Sequence, residues 1–164
     1  MDAGTHRPDG AVELLSCGAS QVVVGLETLP AFADLVAIVA AVGPSQVVFS
    51  LDLRLGSPIL HPAMQDAQGP GPDALHLAEQ AAAAGAGTLL ALDLGRVGTG
   101  CGVDLGLLES LRRRLPDIRL LAGGGILTRR DLERMRDTGC DAALVASAIH
   151  NGRLSAADLA AVSN

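Results

Sequence analysis

Five short aliphatic runs, each bounded by turn residues and each followed by a helical pattern, constrain this chain more than any other feature. They are Gln21–Val24, Gln46–Leu51, Thr88–Leu92, Ile118–Ala122 and Ala142–Ala146. Runs of this kind are the signature of strands covered on both faces, as in a parallel sheet. Helical segments separate them. Ala11–Cys17 is entered from Asp9, and Ala31–Val42 has Pro30 placed to occupy its first turn. Ala74–Ala84 follows Asp73, Leu105–Leu115 follows Asp104, and Thr128 with Asp131 makes a capping-box start for Arg129–Thr138. Ser155 caps a last helix, Ala156–Val162. Strand therefore alternates with helix, which predicts βα units around a parallel sheet, in one domain over residues 1–164. The stretch Leu53–Pro72 breaks the pattern and is expected to be either a functional lid or a connector.

Composition excludes several classes. With 49% hydrophobic and 18% charged residues, the chain is not disordered. A net charge of −6 with 12 Lys and Arg, 2 Phe and no Trp or Tyr argues against nucleic acid as a partner. The longest apolar stretch, Leu35 to Gly43, falls far short of the roughly 20 residues of a spanning helix. No basic segment followed by an apolar core marks a leader, so a cytoplasmic protein with no membrane partner is expected. Cys17, Cys101 and Cys140 are odd in number and widely spaced, which predicts reduced thiols. His6, His61, His76 and His150 share no metal spacing, so neither a metal nor a cofactor is expected. A core poor in rings must be built from many small aliphatic contacts.

Parallel α/β proteins place their sites at the carboxyl ends of strands. The second run ends Ser50-Leu51-Asp52 and the third ends Ala91-Leu92-Asp93. Period-2 alternation puts Ser50 and Asp52 on one face, and Ala91 and Asp93 are expected to repeat that arrangement toward the inside. A carboxylate at the inner mouth can serve as general acid or base. Each aspartate can equally cap a turn or pair with Arg54 or Arg96. The fourth run leads into Gly123-Gly124-Gly125, and the fifth into Ser147. Glycines between a strand and a helix expose backbone N–H groups suited to phosphate, and two adjacent strand ends rich in small residues strengthen that reading. A pair of tight turns is the alternative. Gly25 and Thr28 form a fainter version after the first run. Cys101 sits in a strand-end loop without an activating histidine, and Arg112-Arg113-Arg114 is expected to be a solvated helix end.

At these residues the chain resembles the histidine-biosynthesis (βα)8-barrel superfamily of ribotide isomerases and cyclase subunits. The resemblance runs from Asp2-Ala3-Gly4 through Val22-Val23-Val24-Gly25, Ser50-Leu51-Asp52 and Asp93-Leu94-Gly95-Arg96-Val97-Gly98-Thr99. It continues through Gly123-Gly124-Gly125-Ile126 and Val145-Ala146-Ser147-Ala148-Ile149-His150-Asn151-Gly152. Val97-Gly98-Thr99, the glycine run and His150 together look closest to a divergent isomerase-related subgroup. Some members of that subgroup occur in organisms using tetrahydromethanopterin-type one-carbon chemistry. The resemblance implies a partial TIM barrel whose five βα units correspond to strands four to eight. It also implies a phosphorylated small-molecule substrate, with phosphate at Gly124, Gly125 and Ser147. Asp52 is then one of two aspartates performing an Amadori-type aldose–ketose isomerisation; Asp93, read from its strand end alone, remains a second candidate for catalysis. The biosynthetic enzymes carry an aspartate where this chain has Val97, and valine cannot exchange a proton. Their first strand supplies the other aspartate. Three expectations follow: an isomerase-like enzyme, a phosphate-ligand-binding or assembly module completed by a homo-oligomer or partner, or a reading frame that extends upstream. Family members often carry Val before Asp-Ala-Gly, and a GTG codon read as a start gives Met1.

Overall fold

Each aliphatic run becomes a strand because one of its faces is sealed by helices. The computed structural model describes residues 5–65 and 71–162; Asp2-Ala3-Gly4 and positions 66–70 of the irregular stretch lie outside these. The elements run α1 (Pro8–Ser16), β1 (Val22–Gly25), α2 (Phe32–Val42), β2 (Val47–Arg54), β3 (Ser57–Pro58) and α3 (Ala74–Ala83). They continue with β4 (Thr88–Asp93), α4 (Leu105–Arg114), β5 (Arg119–Gly123), α5 (Arg129–Asp137), β6 (Ala142–Leu144), α6 (Ser147–His150) and α7 (Ala156–Val162). The sheet order is β1-β2-β4-β5-β6, every neighbour parallel, with β3 added antiparallel to the end of β2. Parallel strands in chain order with intervening helices form a TIM-barrel-like α/β architecture. Among the described residues β1 and β6 are each paired on one side only. No helix among the described residues is long and apolar enough to cross a membrane.

The two faces of the sheet differ. Val22, Val24, Phe49, Leu51, Leu89 and Leu120 are fully buried, and with Leu35, Ile38, Leu77, Leu108 and Leu111 from the helices they form the core. Phe49 contributes most volume there, its ring 5.8 Å from that of Phe32. Each such side chain contributes about 1.5–3 kcal/mol through burial. The opposite, inner face carries Val23, Val48, Ser50, Asp52, Leu90, Leu92, Leu121 and Leu144, which alternate with the core residues along their strands.

Caps at Asp73, Asp104 and Thr128 appear as the sequence predicts, each accepting a backbone N–H three residues on; Asp131 completes the capping box. Other boundaries shift. Helix α1 begins at Pro8 with Arg7 as N-cap, three residues ahead of the expected Ala11 start and two ahead of the expected Asp9 entry. Pro30 stays outside α2, whose N-cap is Ala31. Strand β6 stops at Leu144 because Ser147 already opens α6. The irregular stretch starts as a hairpin: β2 runs on to Arg54, turns at Leu55-Gly56 and returns as β3. Arg112 is no solvated helix end. Its guanidinium donates to the carbonyls of Pro116, Ile118 and Gly139 and to Asp141 Oδ2 at 2.6 Å, while that same oxygen accepts from Leu120 N–H. Four acceptors in a fixed fork suit guanidinium geometry and tie α4 to the start of β5 and β6.

Candidate functional site

The carboxyl ends of β1, β2, β4, β5 and β6 lie side by side, so the register decides which side chains meet at the mouth. Asp52 is in register with Leu92, Leu92 with Gly123, and Gly123 with Leu144. One row below, Gly25, Ser50, Leu90, Leu121 and Ala142 are aligned. Asp52 is 5% exposed and accepts a hydrogen bond from Ser50 Oγ at 2.7 Å on Oδ1. Its Oδ2 lies beside Gly25, where a Cβ would come within 3.0 Å of it. Glycine at the end of β1 thus makes room for the Asp52 carboxylate. Thr28 Oγ1 donates to the Gly25 carbonyl at 3.0 Å, which commits its proton and leaves only acceptor lone pairs. A phosphate at this end would therefore need the Thr28 hydroxyl to rotate.

The structure separates the two aspartates. Asp93 pairs in register with Leu53, so it stands on the helix-facing side with Leu51 and Leu89, not on the inner face with Asp52. Ala91, in register with Leu51, likewise faces the helices. Asp93 is 4% exposed and fully engaged. Oδ1 accepts from Leu55 N–H at 2.9 Å and Gly95 N–H at 3.0 Å, and Oδ2 from Gly56 N–H and Arg96 Nε, both at 3.0 Å. This is the turn-capping and Arg96-pairing alternative. It also explains Leu55, whose φ of 52° is left-handed and unfavourable for a branched side chain. The Asp93 carboxylate holds that turn in place. Sequence reasoning missed the hairpin, and its one signal was Gly56 after Leu55, a pair that suits a two-residue turn only weakly.

Gly124, Gly125 and Ser147 do come together. They line a cavity of about 80 Å³ with Leu92, Val97, Ile126 and Leu144 at the ends of β4, β5 and β6. Gly124 has φ 103°, and a Cβ there would collide with the Asp93 carbonyl. The glycine run is thus a close approach of two loops as well as a candidate cradle. Gly102 N–H donates to the Gly125 carbonyl at 3.2 Å and closes the β4–α4 loop over it. Beyond it, burial pushes the Asp131 carboxyl up, but hydrogen bonds from Thr128 and Leu127 and the nearby Arg134 charge outweigh this and hold it below the usual carboxylate range. Cys101 is exposed in the β4–α4 loop, its N–H donating to Thr99 Oγ1. His61 caps its own turn by accepting from Ala63 N–H, and among the described residues no group of His, Cys, Asp or Glu is arranged to hold a metal ion.

Strands in a sheet lie about 4.8 Å apart, so Asp52 and the Gly123-Gly124 backbone, two strands away, are separated by about 10 Å. That span suits a small phosphorylated molecule lying across the mouth. A model of the histidine biosynthesis protein family matches residues 1–155. An isomerase of Thermus thermophilus, named for a phosphoribosyl imidazole-4-carboxamide substrate, is 36% identical over 154 residues, covering 94% of this chain and 64% of the relative. Isomerases of the same name from Deinococcus radiodurans and Aeromonas salmonicida are 33% and 31% identical. The chain spans about 64% of the length of these relatives.

Proposed function

We infer that this chain, which belongs to the histidine biosynthesis protein family, binds a phosphorylated small molecule across the sheet mouth and contributes acid–base chemistry to its isomerisation. The carrying observation is the placement of Asp52: a buried carboxylate on the inner face, two strands from the Gly124, Gly125 and Ser147 cavity. In this reading the phosphate is held by backbone N–H groups of the glycine run and the Ser147 hydroxyl. Asp52, its Oδ1 oriented by Ser50, takes the proton from the carbon next to the reacting sugar carbon and returns one as the aldose becomes a ketose. The reaction needs a second proton-transfer group. Asp52 is the sole carboxylate on the inner face among the described strand residues, because Asp93 faces the helices. The partner acid therefore comes from outside these strands. We assign Asp93 to positioning the Leu55-Gly56 hairpin and the β4–α4 loop, and Gly25 to accommodating Asp52 rather than to a phosphate.

A second reading, a phosphate-ligand-binding module without turnover, is favoured by Val97. It stands half exposed on the cavity wall, where it can neither transfer a proton nor bind a hydroxyl. The experiment that separates the readings assays turnover of the relatives' phosphoribosyl substrate together with phosphate-dependent thermal stabilisation. The isomerase reading expects Asp52→Asn to lower kcat by about 10²-fold or more with KM little changed. It expects Ser147→Ala to raise KM. No turnover in the parent, with stabilisation by phosphate that Ser147→Ala removes, establishes the binding module. Absence of both overturns the assignment of the site.

A further inference from the structure

Isomerisation at Asp52 needs a second proton-transfer group, and a carboxyl stands beside it at the end of β1, outside the strands. Gly25 is in register with Ser50, whose side chain faces Asp52. The position a Cβ would take on Gly25 is therefore on the inner face of the sheet. Three side chains converge on that point: Asp52 Oδ2 lies 3.0 Å from it, Thr28 Oγ1 3.5 Å and Glu27 Cγ 3.8 Å. Glu27 reaches it because β1 stops at Gly25 and the chain enters a single 3-10 turn, Leu26–Thr28. With about three residues per turn, this tight winding sends Leu26 into the core and brings Glu27 over the strand end. The two carboxyls differ in environment. Asp52 is 5% exposed, whereas Glu27 is exposed and can exchange its proton with water between turnovers.

We propose that Glu27 is a proton-transfer residue of the Asp52 site, serving the heteroatoms of the sugar while Asp52 serves its carbons. The inference rests on the isomerase reading of Asp52. Ionised Asp52 takes the proton from the carbon next to the reacting sugar carbon, and the C–H electron pair becomes a carbon–carbon double bond. The π pair of the reacting carbon moves onto the heteroatom doubly bonded to it, which takes the proton of the Glu27 carboxyl. Glu27, now ionised, accepts the proton of the neighbouring hydroxyl, whose oxygen becomes the ketone carbonyl. The carbon–carbon π pair then takes back the proton held by Asp52, on the former reacting carbon. Both carboxyls end as they began, and no oxidant or further reactant is consumed. The heteroatom and the hydroxyl sit on adjacent carbons, so one carboxyl on a solvent-exposed side chain can serve both. Thr28 Oγ1, its own proton committed to the Gly25 carbonyl, presents acceptor lone pairs at the same place and can orient that hydroxyl.

Turnover of the same phosphoribosyl substrate by the full chain and by its Glu27→Gln variant, with urea unfolding of both, tests the proposal. Glu27→Gln keeps the size and polarity of the side chain and removes only its ability to give and take a proton. It is expected to lower kcat by about 10²-fold or more, with KM within about threefold of the parent. Its urea midpoint is expected to match that of the parent, because the side chain is exposed and lies outside the core. A kcat within about threefold of the parent overturns the proton-transfer role of Glu27 and leaves that of Asp52 standing. A loss carried by KM alone, or one that accompanies a lowered midpoint, overturns it equally, since either marks a binding or structural role. A parent chain without turnover, by contrast, overturns the isomerase reading and this proposal with it.

Discussion

Replacing Asp93 separates two roles that the sequence leaves equivalent. The carboxylate is 4% exposed and accepts four hydrogen bonds, from Leu55, Gly56 and Gly95 N–H and from Arg96 Nε, at 2.9–3.0 Å. A hydrogen bond to a charged group contributes about 1.5–3 kcal/mol net, but these four share one carboxylate and are not additive. In Asp93→Ala, water can reach the hairpin amides, and Arg96, with 24% of its side chain exposed, recovers part of its solvation. What remains is the half-buried Gly95 amide, left without its partner, and the left-handed Leu55, no longer held. Together these give a loss of about 3–4 kcal/mol, within the range for breaking a mostly buried pair. With a urea slope of about 2 kcal/mol per molar, the unfolding midpoint falls by about 1.5–2 M. Asp93→Asn keeps one accepting oxygen and is expected to lose about half as much. Urea unfolding followed by circular dichroism reads both. A midpoint shift below about 0.3 M for Asp93→Ala refutes the anchoring role. An Asp93→Asn variant that keeps its midpoint and loses turnover would make Asp93 the catalytic group after all.

Three further outcomes follow from the same geometry. Burial pushes the Cys140 thiol up, and its Sγ faces the Leu120 and Ala142 carbonyls, whereas Cys17 and Cys101 are exposed. A disulfide reagent at mildly alkaline pH should therefore modify two thiols quickly and the third on the order of tenfold more slowly. Asp131 has a folded pKa below its unfolded value of 3.8, so its stabilisation is present above that value and lost as pH falls through the folded one. The parent should exceed Asp131→Asn by about 1 kcal/mol at neutral pH, with the two converging below about pH 4 in acid-dependent urea unfolding. Gly124→Ala forces a Cβ into the Asp93 carbonyl at φ 103° and should cost at least about 2 kcal/mol in thermal unfolding. Gly98→Ala, at φ 75° with open space around it, should cost only about 1 kcal/mol.

The strands were legible because a parallel sheet sealed by helices forces its core residues to be aliphatic wherever they fall. Phe49, Leu51, Leu89 and Leu120 are buried whatever the loops do. Caps were legible for the same local reason, since Asp73, Asp104 and the Thr128–Asp131 box satisfy amides within one turn. Facing was not. Leu51-Asp52 and Leu92-Asp93 look like the same dipeptide at the same place, yet Asp52 meets Leu92 in register and Asp93 meets Leu53. A shift of one residue between neighbouring strands reverses which carboxylate looks inward, and only the pairing fixes it. Alternation traced from the middle of β4 carries the correct sign: Leu89 aligns with Phe49 in the core, so Ala91 and Asp93 must follow it outward.

That single reversal changes the character of the mouth. An inner wall on which Ala91 and Asp93 were expected carries instead Val48, Leu90, Leu92, Leu121 and Leu144 beside Ser50, Thr88 and Arg119, with Asp52 its one carboxylate among the described strand residues. Asp93, facing the helices, holds the Leu55-Gly56 hairpin through the amides of those two residues. If Asp93 acts only through that hairpin, Asp93→Ala should lower the urea midpoint, whereas Asp52→Asn should leave it nearly unchanged and lower any turnover; urea unfolding and an isomerase assay on both variants check this.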